Sequence, residues 1–349
     1  MTLEKPVRRR LDFKNGRVDL SHGAGGRAMG QLIEDVFLAA FDNDWLRAGN
    51  DQSAFDVAAG RMVMTTDAYV VSPIFFPGGD IGSLAVNGTI NDIAVAGAQP
   101  LYLSASFVLE EGFPLADLRR IAVSMAEAAR AAGAPIITGD TKVVERGKAD
   151  KVFVATTGVG VAPTGLFLSS DAGRPGDVVI LSGTIGDHGV AVMSKRENLE
   201  FETEIRSDSA ALHGLVAEMV AAAGPSLRVM RDPTRGGIAA TLNELAHRSN
   251  VGFSIEEEAI PVRAEVAAAC EFLGLDPLNV ANEGKLIAIA APEGAEALLA
   301  AMRAHPLGAD AAIIGRAVED ANCFVEMRTA FGGGRIVDWL AGEQLPRIC

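Results

Sequence analysis

The stretch Ala134-Pro135-Ile136-Ile137-Thr138-Gly139-Asp140-Thr141-Lys142 decides how the fold is read. Its run from Ala134 to Gly139 has the length and apolar character of a strand, and it ends on a carboxylate, Asp140. The same design occurs upstream, where the strand-like run Arg61 to Thr66 ends on Asp67. Between the two, Asn91-Asp92 lies in a helical stretch rich in small residues, and Asp51 occupies the turn Gly49-Asn50-Asp51-Gln52. An α/β sheet gathers ligand-binding groups just beyond the carboxyl ends of its strands. The placement therefore predicts that Asp51, Asp67, Asp92 and Asp140 converge on one cleft. Any one of them taken alone reads as a turn or helix-cap residue; the shared placement argues for a site. Several hard oxygen ligands without His or Cys suit Mg²⁺ bound together with substrate phosphates. Lys142 beside Asp140 is either a surface ion pair or, partly desolvated, a group that contacts phosphate or handles a proton.

Working outward, the helical pattern Leu115 to Ala132 and the strand Lys151 to Val161 complete a first α/β domain. Turn formers cluster from Ser169 to Gly176, and the domain boundary is placed there. A buried-type strand, Asp177 to Ser182, leads into the second glycine-rich loop, Gly183 to Gly189, where His188 reads as a structural residue or as one facing the site. Ala210 to Ala223 is helical. Arg231-Asp232-Pro233-Thr234-Arg235-Gly236-Gly237 precedes a helix running to about His247, with Thr234 as the expected cap and an anion-favouring helix start. Asn282-Glu283-Gly284-Lys285 leads into the strand Leu286 to Ala290. The expected layout is 1–37 as an arm with a glycine-rich loop, 38–165 as the first domain, 174–330 as the second, and 331–349 as a tail. Two cores of ordinary size fit within 349 residues.

Composition narrows the function. Apolar residues make up 49% and charged residues 22%, as in an ordinary globular chain. A net charge of −14 without a basic cluster argues against nucleic acid as a partner. No apolar run approaches membrane-spanning length, the amino terminus lacks a signal core, and three cysteines without CxxC spacing suggest neither disulfides nor a zinc cluster, so a reducing cytoplasm is expected.

Two features remain. Ser21-His22-Gly23-Ala24-Gly25-Gly26-Arg27 opens a helix with apolar positions Met29, Leu32, Ile33, Val36 and Phe37; such a loop either wraps a phosphate or acts as a hinge. It is neither a Walker loop nor a dinucleotide fingerprint. At the other end the chain finishes on a thiol in Leu345-Pro346-Arg347-Ile348-Cys349, beyond the flexible glycines Gly332 to Gly334. A terminal Cys is poorly placed for a core and well placed to swing, with a pKa near the free thiol's or above. Cys270 and Cys323 read instead as buried apolar residues.

The order His22-Gly-Ala-Gly-Gly26, Thr65-Thr-Asp67, Asn91-Asp-Ile-Ala94, Gly139-Asp-Thr-Lys142, Asp232-Pro-Thr-Arg-Gly-Gly237, Asn282-Glu-Gly-Lys285 and Pro346-Arg-Ile-Cys349 closely resembles the HypE family of hydrogenase maturation factors, from about Ser21 to the end. That family belongs to the ATP-binding superfamily of aminoimidazole ribonucleotide synthetase (PurM), selenophosphate synthetase and thiamine-monophosphate kinase. The resemblance implies a PurM-like α/β (α+β) fold of two domains with a flexible C-terminal tail, the first domain pairing into a homodimer whose interface helps build the ATP sites. It implies that a carbamoyltransferase, HypF, loads a carbamoyl group on Cys349. The chain then dehydrates it with ATP to an S-cyanate, and the cyano group passes to iron on the HypC–HypD scaffold of [NiFe]-hydrogenase maturation. It also implies nucleotide contacts from Gly23, Gly25, Gly26, Asn91, Gly139, Asp140, Thr141, Asp232, Thr234, Arg235, Gly236 and Gly237. Mg²⁺ would be held by Asp51, Asp67, Asp92 and Asp140, and Lys142 and Glu283 would be the candidate bases, one tuning the other. Superfamily members often carry two glycines where this chain has Thr138-Gly139. Competing readings are another enzyme of the superfamily, such as a small-molecule kinase or selenophosphate synthetase, and a non-enzymatic ligand-carrier scaffold.

Overall fold

The computed structural model describes residues 11–24, 26–48, 50, 52–57, 59–199, 204–339 and 347–349. In the first domain, β1 (Arg61–Tyr69), α1 (Ile81–Val95), β2 (Gln99–Glu110), α2 (Leu115–Ala131), β3 (Ile136–Val144) and β4 (Val152–Ala162) follow one another. Its sheet has the order β1-β4-β2-β3, with only β2 and β3 parallel, joined by the α2 crossover. α2 is amphipathic and buries Leu118, Ile121, Ala122, Met125 and Ala129. α1 is different: capped by Asp80, it is buried on nearly every side. Its small residues permit that, since a Cβ on Gly82 would lie 2.5 Å from the Ile121 carbonyl and one on Gly88 would lie 2.2 Å from the Tyr69 hydroxyl.

Strand alternation assigns the faces of this sheet. Val63 packs with Ile93, and the Thr65 hydroxyl bonds Asp92, so odd residues of β1 face α1. Met62 and Met64 lie on the opposite face, where Met64 is 73% exposed. Two expectations need correction here. β1 runs on through Asp67 to Tyr69, and β3 runs through Asp140 to Val144, so both carboxylates stand within strands, not beyond their ends. The described part of the arm is tied down: Val18 is buried and exchanges backbone bonds with Gly112 and Phe113.

The second domain runs β5 (Val178–Leu181), α3 (Asp187–Arg196), α4 (His213–Ala223), β6 (Leu227–Arg231), α5 (Gly237–Ser249), β7 (Gly252–Glu256), α6 (Ala264–Leu273), β8 (Ile287–Ala290), α7 (Pro292–Ala304), β9 (Ala312–Val318), β10 (Val325–Arg328) and β11 (Gly334–Ile336). The sheet order is β11-β10-β7-β9-β5-β8-β6, with β7 and β10 the parallel pair. Alternate residues of β5 and β8 feed two cores: Val179, Leu181, Ile287 and Ile289 pack with α5, while Ile180, Ala288 and Ala290 pack with α4 and α7. Gly332 to Gly334 do not form a tether at this point. They turn the chain back so that β11 pairs with β10.

The two domains share apolar packing. Val190 and Val192 of α3, with Val266 and Cys270 of α6, join the core built on α1 and α2. The Asn91 amide nitrogen donates to the Ala210 and Glu283 carbonyls at 3.0 and 3.1 Å, and its oxygen accepts from the Leu212 N–H at 2.8 Å.

Candidate active site

An acidic cleft lies where α1, β1 and the second domain meet. Asp92, on α1, accepts a 2.6 Å bond from Thr65; Asp67, two residues further along β1, accepts a 3.0 Å bond from the Tyr69 hydroxyl. Burial and the nearby Asp92 charge raise the pKa of Asp67. Asp232, buried at the end of β6, is pushed up to about 7 by burial, with Asp92 and Asp67 adding to the effect. Glu283 stands deepest, 2% exposed, its Oε1 unpartnered. Burial first, then Asp232, Asp208, Asp67 and Asp92, raises its pKa well above the usual carboxylate value and favours its protonated form.

The Glu283 backbone is held firmly. Asp208 accepts from the N–H groups of Glu283 and Gly284 and from the Lys285 ammonium. Gly284 is obligatory, because a Cβ there would lie 1.8 Å from the Asp208 carbonyl. The Asn282 amide bonds Pro233 and Gly186, tying the loop to its neighbours.

The chain end is in this cleft. The N–H groups of Val70 and Ser72 donate to the carbonyls of Cys349 and Arg347 at 3.3 and 3.1 Å, a short antiparallel addition beyond β1. The Arg347 guanidinium pairs with Asp150 and donates to the Val70 carbonyl, while Arg196 of α3 donates to the Arg347 and Ser72 carbonyls. Ile348 is buried, and its carbonyl meets His188. The Cys349 sulfur lies 3.6 Å from Arg235. Burial first, then Glu283, pushes the thiol up to about 11, against the opposing pull of Arg235.

Other residues singled out in the sequence fall elsewhere. Gly25 and Asp51 lie outside the described residues. Asp140 and Lys142 form an exposed ion pair at 2.7 Å on β3. The register Ala68–Ala155–Ser106–Asp140 sets Asp140 three strands away from β1, roughly 14 Å at strand spacing. Within one chain Asp140 is thus not brought to Asp67, nor Lys142 to Glu283. Thr141 is buried beside them. Gly139 has a structural reason: a Cβ would lie 2.2 Å from the Ala105 carbonyl on β2. Gly23 packs in the same way against Val143, which sets the glycine-rich loop beside Asp140 and Lys142; Gly26 caps the helix Arg27–Leu32. Asn91 has all its amide atoms engaged in joining the domains. Thr234 does not cap α5, which starts on Gly236 and Gly237, both at positive φ. His22 closes a capping box with Asp19.

Sequence reasoning missed Asp208, Arg196 and Asp150, which are ordinary charges until the fold brings them together. His188 was noticed without a role.

Residues 49–162 match the family model for the N-terminal domain of AIR synthase related proteins, and residues 174–328 match the model for its C-terminal domain. The chain is 77% identical over 345 residues to the carbamoyl dehydratase HypE of Rhizobium leguminosarum bv. viciae, covering 99% of both. It belongs to the HypE family. The HypE of Escherichia coli K12 is 46% identical over 337 residues, covering 95% of this chain and 99% of the relative. A crystal structure of HypE in complex with ATP superposes with a TM-score of 0.91 at 50% identity, covering 95% and 99% of the two chains. A HypE–HypF complex matches at 0.78 and 49% identity, covering 88% and 99%.

The cleft also fits what an ATP enzyme of the HypE family needs. Besides burial, the Asp92 charge raises the pKa of both Asp67 and Asp232, and Asp67 adds to the effect on Asp232, a strain that a divalent cation relieves. Among the described residues no three His, Cys, Asp or Glu side chains converge enough to hold a metal alone. Among the described residues no helix is long and apolar enough to cross a membrane.

Proposed function

We propose that the protein dehydrates a carbamoyl group carried on Cys349 to an S-cyanate at the expense of ATP, supplying the cyanide ligands of a [NiFe]-hydrogenase iron. The observation that carries this reading is the Cys349 thiol held in a carboxylate cleft, with the buried Glu283, whose Oε1 has no partner among the described residues, acting on it. In the reaction the carbamoyl oxygen attacks the γ-phosphorus, ADP leaves, and the C–O bond then breaks with phosphate as leaving group. Two protons depart from nitrogen as the C≡N bond forms. Asp67 and Asp92 would hold Mg²⁺, whose charge would offset that of the phosphates. Glu283, the carboxylate that acts most on the thiol, would accept one proton from nitrogen, and the departing phosphate would take the second. Arg235, at the sulfur, suits the phosphorylated oxygen.

Lys142 and Asp140 enter this scheme from a second copy of the chain. The open face of the first sheet, with Met62 and Met64, is the apolar surface a homodimer would cover, and Asp140 shares that face by register. HypF is the proposed source of the carbamoyl group, the HypC–HypD complex the acceptor, and the cytoplasm the compartment. Intact-mass analysis after mixing with HypF, carbamoyl phosphate and ATP tests the scheme. The last residue should gain a carbamoyl group and then lose water; water loss that persists in Cys349→Ala would overturn it. ATP turnover coupled to that loss separates the enzyme from a passive carrier.

A further inference from the structure

We propose that His188 is a positioning residue: by holding the Ile348 carbonyl, it sets where the Cys349 thiol stands in the cleft. The proposal rests on the dehydratase reading for its kinetic arm only.

Three successive carbonyls at the chain end are held. Those of Arg347 and Cys349 accept from Ser72 and Val70 on one side. The carbonyl between them, that of Ile348, is engaged by a different group. It meets His188 Nε2 at 2.8 Å, in a ring that is 0% exposed. A carbonyl only accepts, so Nε2 carries the proton and Nδ1 must accept. Ser207 supplies that donor: its Oγ lies 2.8 Å from Nδ1 and itself accepts from the Ser209 N–H at 3.1 Å. The relay fixes the tautomer, and Phe76, edge-on with ring centroids 5.4 Å apart, fixes the plane of the ring.

The coupling follows from the hydrogen bond itself. When the chain end leaves, Nε2–H loses the carbonyl and gains at best water, so the docked state is favoured by about the net worth of one hydrogen bond. Burial keeps the ring neutral, so the contact is a matter of direction and not of charge. Val70 and Ser72 sit on the first domain and His188 on α3 of the second, so the thiol is located by both.

The test uses the full-length protein. Cys270 and Cys323 are buried, so Cys349 dominates labelling by iodoacetamide, with the site checked by peptide mass. His188→Asn removes the donor at the Nε2 position and should speed labelling of Cys349 about tenfold, the worth of one net hydrogen bond. His188→Gln carries an amide N–H near that position and should restore most of the protection. Ser207→Ala, a smaller change, releases the tautomer and should also speed labelling. On carbamoylated protein, His188→Asn should slow single-turnover S-cyanate formation about tenfold while HypF-driven loading is not slowed. Unchanged labelling in both His188→Asn and Ser207→Ala, a Gln variant no better than Asn, or loading and dehydration slowed equally would each overturn the proposal. If the wild type formed no S-cyanate, the functional reading would fail, and labelling would still decide the role of His188.

Discussion

At the scale of single residues, burial and the Glu283 charge raise the proton affinity of Cys349, and each of the two residues leads to a measurement. Glu283→Gln keeps the shape of a side chain whose protonated form burial favours and removes its ability to exchange a proton. It should leave the thermal midpoint no lower than wild type while slowing S-cyanate formation at least about a hundredfold. A variant that unfolds, or one that retains the rate, contradicts the assignment. For Cys349 the docked thiol titrates near 11 against 9.0 for a free one, so the docked state holds its proton more tightly. Docking is therefore full below the free value and is lost as pH rises through 9 toward 11, by up to about a hundredfold. Exchange of the Val70 and Ser72 amides, compared between wild type and Cys349→Ser across pH 8 to 10.5, measures this; a constant ratio contradicts it. Glu283 was legible in the sequence because Asn282-Glu283-Gly284-Lys285 is contiguous. Asp208 and Ser207 were not legible, since their meaning arises from contacts with residues 75 and 19 positions away.

Secondary-structure elements were more legible than the placement of the groups upon them. Period and turn chemistry located α2 and β4 to within a residue. The stopping points of β1 and β3 were misread, because a carboxylate after an apolar run looks like a strand end. Partners on β4 and β2 keep both strands paired past it. Asn91 shows the same limit: beside Asp92 it resembles a nucleotide ligand, yet on α1 it reaches the backbone of the second domain. Asn91→Ala should strand the Leu212 N–H and the Ala210 and Glu283 carbonyls, costing about 3 kcal/mol in urea unfolding. A ligand role would instead weaken ATP binding with stability unchanged, and calorimetry on the same variant separates the two outcomes.

The whole molecule raises the question of how many chains make one site. Asp67 faces α1 and Asp92 stands on it, while Asp140 and Lys142 lie on the open face three strands away, too far apart to hold one metal ion within one chain. If both groups act on the same metal ion, they come from two chains, with the Met64 face between them. Complementation tests this. Asp67→Asn and Asp140→Asn should each be inactive as a pure protein. When they are unfolded and refolded together, half the dimers are mixed, and each mixed dimer holds one site with both changes and one with neither. Activity should then return to about a quarter of wild type, as random pairing in a twofold dimer requires. Charge reversal at Met64, as Met64→Glu, should abolish that recovery together with the dimer, read by light scattering. Recovery without a dimer, or a mixed dimer that stays inactive, would mean that each chain completes its own site, and that Asp140 and Lys142 serve only the edge of β3.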